Sequence, residues 1–330
     1  MLKKIGLICS FILIIIMVFS GCGKEQQYMT KFKTSNSCNT TNFEINNNIL
    51  RIFGTTDDLN QKYIMVVFDN DSESANKVEV VSGTYEAEIQ LPDKKQTLVE
   101  LYSGQEEYGT FQSVILDYIK VENIDNKWAF MKSPVYENNK NVFSKEKSGS
   151  EYLGETETIQ SKDIEINELA QEITNGITDK YDQVKAIHDW VATNIYYDYE
   201  ALVSGNYQDM DAKNVLLTKK GVCEGNANLM AALLRSKGIP CKVQGGYALG
   251  IDTKKEWSSS NIDTTEGNHA WNEVYVNGRW IIIDATWDSQ NQYKDGRYII
   301  GETITQTYFD STLEFFSLSH KLIDENVTIE

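Results

Sequence analysis

Residues 269–287 read HAWNEVYVNGRWIIIDATW, and this stretch decides how the C-terminal half of the chain is built. Asn277-Gly278 is the strongest two-residue hairpin signal, because a type I′ turn needs positive φ at both central positions. Apolar and β-branched residues flank it on either side, so strands over 269–276 and 279–285 are predicted. Closing that turn pairs Val276 with Arg279, Trp271 with Asp284 and His269 with Thr286. His269 and Asp284 then share one face as diagonal neighbours ~7–8 Å apart at Cα, within side-chain reach. A carboxylate beside a histidine fixes its tautomer and raises its basicity. The same face carries Trp271, Glu273, Tyr275, Trp280 and Ile282, enough bulk to keep the site partly dry.

Upstream of the hairpin the apolar period is helical. Ile166, Leu169, Ala170 and Ile173 mark one helix over 164–173; Tyr181, Val184, Ile187, Trp190, Val191 and Ile195 mark a second over 181–195. A short segment, 211–217, stops at Gly221. A further helix is expected over 223–237, with Gly238 as its C-terminal cap and Pro240 preventing continuation, and a strand follows over 242–248. Helices followed by antiparallel strands make an α+β arrangement. Cys223 falls in the first turn of its helix, where unpaired N–H groups and the positive end of the dipole stabilise a thiolate. Ala227, Met230, Ala231 and Leu234 mark the packed face of this helix, and Cys223, four residues before Ala227, looks toward the sheet. A lone cysteine on an apolar helix face is ordinarily core. The His269–Asp284 pair makes this one a candidate nucleophile, because such a histidine can hold a cysteine as thiolate.

Three blocks now stand in order. They are Lys220-Gly221-Val222-Cys223-Glu224-Gly225 with Gly238-Ile239-Pro240, then His269-Ala270-Trp271-Asn272-Glu273-Val274, then Trp280-Ile281-Ile282-Ile283-Asp284-Ala285-Thr286-Trp287. Together they resemble the transglutaminase-like superfamily over roughly residues 160–320, and the Asp-Ala-Thr-Trp ending is similar to its kyphoscoliosis-peptidase type. Ile187-His188-Asp189-Trp190-Val191 with Asn194-Ile195-Tyr196-Tyr197-Asp198 matches the helix that the family places ahead of its cysteine. The resemblance implies a papain-like α+β core and a Cys–His–Asp triad, with Cys223 as nucleophile, His269 as general base and acid, and Asp284 as the orienting carboxylate. It implies a protein or peptide substrate, a cell-wall peptide among the candidates, attacked at a peptide or carboxamide carbonyl without metal or organic cofactor. The acyl-enzyme would be resolved by water or by an amine. The rival reading is a non-catalytic binding module of the same fold that recognises wall peptides or a partner protein. For the oxyanion, the backbone N–H of Cys223 is one donor. The family takes its second donor from an upstream side chain. Tyr197 is the candidate here, its alternative being an aromatic that packs under the helix.

The other scarce residues read as structure. His188, between Ile187 and Val191, is expected to hydrogen-bond within a helix, and His320 lies too far from any motif to assign. Cys241 opens a buried strand as a small hydrophobe. A Cys223–Cys241–His269 zinc site would lack a fourth ligand and a compact spacing.

Residues 48–131 have a different grammar: short β-branched and aromatic runs at 49–53, 63–68, 85–91, 97–102, 111–121 and 128–131, separated by turn formers such as Asp57-Asp58 and Ser103-Gly104. An immunoglobulin-like β-sandwich over 46–135 is expected, joined by a polar linker over 136–160 to the domain over 161–330. The chain opens with Lys3-Lys4 and an apolar run from Ile5 to Phe19, too short to span ~30 Å of hydrocarbon but suited to a signal peptide over 1–21. Phe19-Ser20-Gly21-Cys22 resembles a bacterial lipobox, which makes Cys22 the expected lipidation site and the outer face of the membrane the expected location. Residues 22–45, polar and rich in Asn, Thr and Ser, read as a flexible tether containing Cys38. The chain has 31 Lys+Arg against 48 Asp+Glu, a net charge of −17 that becomes −19 once Lys3 and Lys4 leave with the signal peptide. Such an excess of anions excludes a nucleic-acid partner. It also excludes a basic membrane patch, leaving attachment to the acyl chain.

Overall fold

The computed structural model describes residues 29–35, 39–69, 71–107, 109, 111–113, 119–131, 133–143, 149–207, 209–250, 257, 267–301 and 304–323. The expected signal peptide, Cys22 and Cys38 lie outside the described residues.

The N-terminal part is all β. Its strands are β1 (Lys31–Ser35), β2 (Asn39–Asn46), β3 (Ile49–Thr56), β4 (Tyr63–Phe68), β5 (Asp71–Glu79), β6 (Thr84–Gln90), β7 (Gln96–Gly104), β8 (Gln112–Ser113), β9 (Ile119–Ile124) and β10 (Lys127–Phe130). One antiparallel sheet has the order β1-β2-β3-β6; the other runs β10-β9-β7-β4-β5, with β8 on β7. Phe43, Leu50 and Ile52 of the first sheet share one buried core with Ile64, Val66, Val99, Leu101 and Val121 of the second. The period of two does this work: in β6 Tyr85 and Ile89 are buried while Thr84, Glu86, Glu88 and Gln90 face water. Two expectations change here. The tether expected over 22–45 contains β1 and most of β2, because Thr41, Phe43 and Ile45 alternate inward beneath an Asn/Thr-rich composition. And the polar run 71–79 is a strand, an edge partner of β4 that needs little apolar surface.

The remainder is α+β. It begins with α1 (Tyr136–Phe143) and a 3-10 turn at Ser150–Leu153. Then follow α2 (Ile164–Ile173), α3 (Lys180–Asn194), β11 (Tyr196–Asp198), α4 (Tyr199–Ser204), α5 (Ala212–Thr218), β12 (Lys220–Gly221) and α6 (Cys223–Ser236). After these come β13 (Cys241–Ala248), β14 (His269–Val276), β15 (Arg279–Ile283), α7 (Ala285–Asp288), β16 (Gln292–Lys294), β17 (Arg297–Ile299), β18 (Phe309–Ser311), α8 (Leu313–Phe316) and β19 (His320–Leu322). An aspartate caps α2, α3, α4, α5 and α7, through Asp163, Asp179, Asp198, Asp211 and Asp284, each accepting first-turn N–H groups. The main sheet is antiparallel with the order β18-β15-β14-β13-β19, and a small one runs β12-β11-β16-β17. Helix α6 is the centre. Every residue from Gly225 to Arg235 is buried, between α2, α3 and α5 on one side and β13 and β14 on the other.

The expected linker over 136–160 is neither free nor wholly polar in its role. Helix α1 docks on β19, Tyr152 meets Trp280 edge to face, and Ile159 is fully buried in the α6 core. The β domain and the C-terminal half also share apolar packing: Phe32 and Phe130 belong to the same cluster as Trp271, Tyr308, Phe315 and Phe316. Among the described residues no helix is long and apolar enough to cross a membrane.

Candidate active site

Cys223 is the first residue of α6, half-buried, with Val222 as a cap that supplies no side-chain hydrogen bond. The first-turn N–H groups therefore stay available beside the sulfur. Two glycines make this start possible. A Cβ on Gly225 would meet Val215 at 2.8 Å and Met210 Sδ at 3.1 Å, so glycine lets α5 close on the first turn of α6. Gly221 pairs in parallel with Tyr197 and brings that tyrosine to the same corner.

The hairpin forms as its turn dictates. Asn277 and Gly278 have φ of 52° and 80°, and the ladder runs from Val276↔Arg279 to Asn272↔Ile283. There it ends, one residue pair short of the extrapolated pairing of Trp271 with Asp284 and three short of His269 with Thr286. Asp284 instead caps α7, its Oδ1 accepting from Thr286 N at 3.0 Å and Trp287 N at 3.1 Å. Two backbone donors on a short side chain outcompete one more rung of ladder. His269 is reached all the same: its Nε2 lies 2.6 Å from Asp284 Oδ2, with both residues buried. Asn226 Nδ2 donates to Thr286 Oγ1 at 3.1 Å and ties the first turn of α6 to α7.

Burial pulls the proton affinity of His269 down, but Asp284 and then Cys223 outweigh it, and the imidazole pKa rises to about 10. Burial pushes the Asp284 carboxyl up, yet His269 and His320 hold it well below the ordinary carboxylate range. Burial, and after it the nearby Cys223, raises the Tyr197 phenol, which therefore stays protonated and able to donate. Burial also raises the neighbouring Glu224 carboxyl. So the structure gathers Cys223, His269, Asp284 and Tyr197 in one corner. Tyr197 packs against Ala201, Met210 and Val222 as well.

Residues 167–285 match the family model described as the transglutaminase-like superfamily. This segment is a transglutaminase-like domain. The mouse kyphoscoliosis peptidase is 31% identical over 155 residues, covering 47% of this chain and 22% of that one. The uncharacterised protein YebA of Bacillus subtilis is 29% identical over 178 residues, covering 51% and 24%. The match thus spans about a quarter of the length of these relatives or less. A crystal structure of red sea bream transglutaminase is 13% identical, covers 78% of this chain and 50% of that one, and superposes with a TM-score of 0.29.

Other residues of the transglutaminase-like domain fall into place around this corner. His188 is fully buried and bridges Asp189 Oδ1 at 2.9 Å and Asp288 Oδ2 at 3.1 Å. It thereby ties α3 to the far end of the short α7 whose near end is Asp284. Cys241 packs in the α6 core opposite Val274, five strand positions from Gly246, the partner of His269. At ~3.3 Å per position that is ~16 Å along β13, too far for the Cys223–Cys241–His269 set to share an ion. Among the described residues the group close enough to hold a metal is His269, Asp284 and His320, with ligand atoms within 4.8 Å of one another. Its geometry suits proton sharing, since the Asp284 oxygens are already engaged by His269, Thr286 and Trp287. His320 is the residue that sequence reasoning missed. It stands 3.5 Å from Asp284 Oδ2, brought there by the pairing of β19 with β13, a contact with no local pattern to announce it.

Proposed function

We propose that the chain is a surface-anchored cysteine acyltransferase or hydrolase, acting on peptide or carboxamide bonds through Cys223, His269 and Asp284. The buried 2.6 Å bond from His269 to Asp284, beside a cysteine at the start of α6, carries the reading. Because Nε2 faces Asp284, Nδ1 is the nitrogen that takes the proton of Cys223. The sulfur then attacks the carbonyl carbon, and negative charge gathers on its oxygen. The backbone N–H of Cys223 and the Tyr197 hydroxyl are the donors for that oxygen. Collapse of the tetrahedral intermediate breaks the C–N bond, and the imidazolium protonates the departing amine. The thioester left on Cys223 is resolved by water, giving an acid, or by a second amine, giving a new amide.

The N-terminal part is assigned as an immunoglobulin-like spacer, a reading favoured by strands that cross between sheets at β3–β4, β5–β6 and β6–β7. Cys22 would carry the lipid and hold the enzyme outside a bacterial membrane, with protein or wall peptides as substrate. The test mixes the full soluble chain with a glutamine-bearing protein, once alone and once with a fluorescent primary amine. Cleavage or ammonia release in the first case marks a hydrolase, and fluorescence coupled to the protein in the second marks a transferase. Activity surviving in Cys223→Ala, or binding of peptide with neither product, would overturn the enzymatic reading in favour of the binding module.

A further inference from the structure

Asp284 is held on more sides than an orienting carboxylate needs. Oδ1 takes two backbone N–H groups, and Oδ2 takes His269 at 2.6 Å with His320 Nε2 at 3.5 Å from the same oxygen. His320 is fully buried, and its Nδ1 lies 2.8 Å from Ser319 Oγ. With the serine hydroxyl donating to Nδ1, the ring proton is on Nε2 and faces the carboxylate. The imidazole has no room to turn: it stacks on Phe316 at 4.1 Å and 14°, with Trp287, Tyr308 and Trp271 rings 4.4, 5.4 and 5.5 Å away.

What places this ring comes from 181 residues earlier in the chain. Asn139 of α1 is fully buried. Its Nδ2 donates to His320 O and to Ser317 Oγ, both at 2.8 Å, and its Oδ1 accepts from Leu322 N at 2.8 Å. Asn138 Nδ2 adds a bond to Leu322 O at 2.8 Å, and Ser133 Oγ donates to Ser317 O. Helix α1 follows β10 closely, so the segment that leaves the β domain grips β19 where β19 presents His320.

We propose that His320, bracketed by Asn139, is a positioning residue for Asp284, and that the reactivity of Cys223 therefore depends on the docking of α1. The proposal rests on the triad reading above. The groups facing His320 are Asp284 of α7, His269 of β14 and, through Ser319, the Tyr308 hydroxyl. If the ring lost its donor, Oδ2 would keep His269 alone against an otherwise apolar wall, and burial would weigh more heavily on the charged carboxylate. An Asp284 held less firmly in its charged form gives weaker support to the imidazolium of His269.

The test follows iodoacetamide alkylation of Cys223, read by peptide mass mapping on the full chain, from about pH 5 to about pH 9. His269→Gln tests the underlying reading and should abolish the low-pH limb of the profile. If it does not, the triad fails and the positioning role with it. His320→Phe keeps the aromatic packing and deletes the donor. It should melt like the wild type yet react several-fold more slowly near pH 6, because Nε2 at 3.5 Å supports the carboxylate as a nearby charge and dipole and not as a full hydrogen bond. His320→Gln, which restores an N–H, should recover part of that rate. Asn139→Ala, which leaves every aromatic side chain in place, should shift the profile in the same direction by less. If His269→Gln alters the profile while His320→Phe and Asn139→Ala match the wild type, the triad stands and the positioning role is refuted. If His320→Phe fails to fold, Asn139→Ala decides.

Discussion

Asp284 does two jobs with two oxygens, capping α7 with one and holding His269 with the other, so Asp284→Asn separates them. The amide oxygen can still cap the helix, but an N–H pointing at Nε2 forces the wrong imidazole tautomer. Turnover of the acyl substrate should fall by on the order of 10³- to 10⁴-fold, as it does when a serine-protease triad suffers the same change, while circular dichroism stays native. Tyr197→Phe removes a protonated hydroxyl from the same corner as Cys223. If that hydroxyl serves the oxyanion, kcat should drop roughly 10²- to 10³-fold with KM little changed. A loss confined to thermal stability would leave Tyr197 as packing for Val222 and Met210. The pairing of His269 with Asp284 was legible in the sequence because one hairpin contains both, and the type I′ turn counts the register between them. His320 was not legible, because nothing short-range connects it to either.

The elements that carry the site are short and clamped, which gives them their own signatures. Helix α7 is four residues long and would not persist alone, since one turn cannot repay its nucleation. Asp284 anchors one end and the His188–Asp288 pair the other. Burial lowers the His188 pKa, but Asp189 and Asp288 outweigh it and raise the pKa to about 9, above an ordinary 6.5. The folded state therefore holds a proton that the unfolded chain has lost in that window. The stabilisation is complete below about pH 6.5 and disappears as pH rises through about 9, a loss of up to about 3 kcal/mol. Urea midpoints should accordingly fall between these values, and His188→Gln should reduce that slope to the share that His269, raised likewise, contributes. At the other end of the site, Gly225→Ala pushes a methyl into Val215 at 2.8 Å. Overpacking there should cost about 1–3 kcal/mol and slow Cys223 alkylation, because α5 and the first turn of α6 must part.

The whole molecule is bound together more tightly than its two kinds of sequence suggest. Phe32, Phe130, Trp271, Tyr308 and Phe316 share one cluster, and α1 adds buried hydrogen bonds to β19. A fragment starting at residue 161 should melt well below the full chain by calorimetry and bind a hydrophobic dye, because truncation bares Phe315 and Phe316 and removes the partners of Ser317 and Leu322. Equal melting of fragment and full chain would show the halves to be independent. The sequence by itself determined the elements and their local chemistry: the strand period in β6, the helical period and caps of α2 and α3, the Asn-Gly turn, and a cysteine at a helix start. Each is written in residues a few positions apart, where turn geometry and side-chain spacing act directly. Only the tertiary structure decided that polar residues 31–35 and 39–46 are strands of a sheet, that the polar run after residue 135 is a docking helix, and that a third histidine stands behind Asp284. Those outcomes depend on surfaces meeting in three dimensions, in the case of Asn139 and His320 across 181 residues, and no local period encodes which surface will meet which.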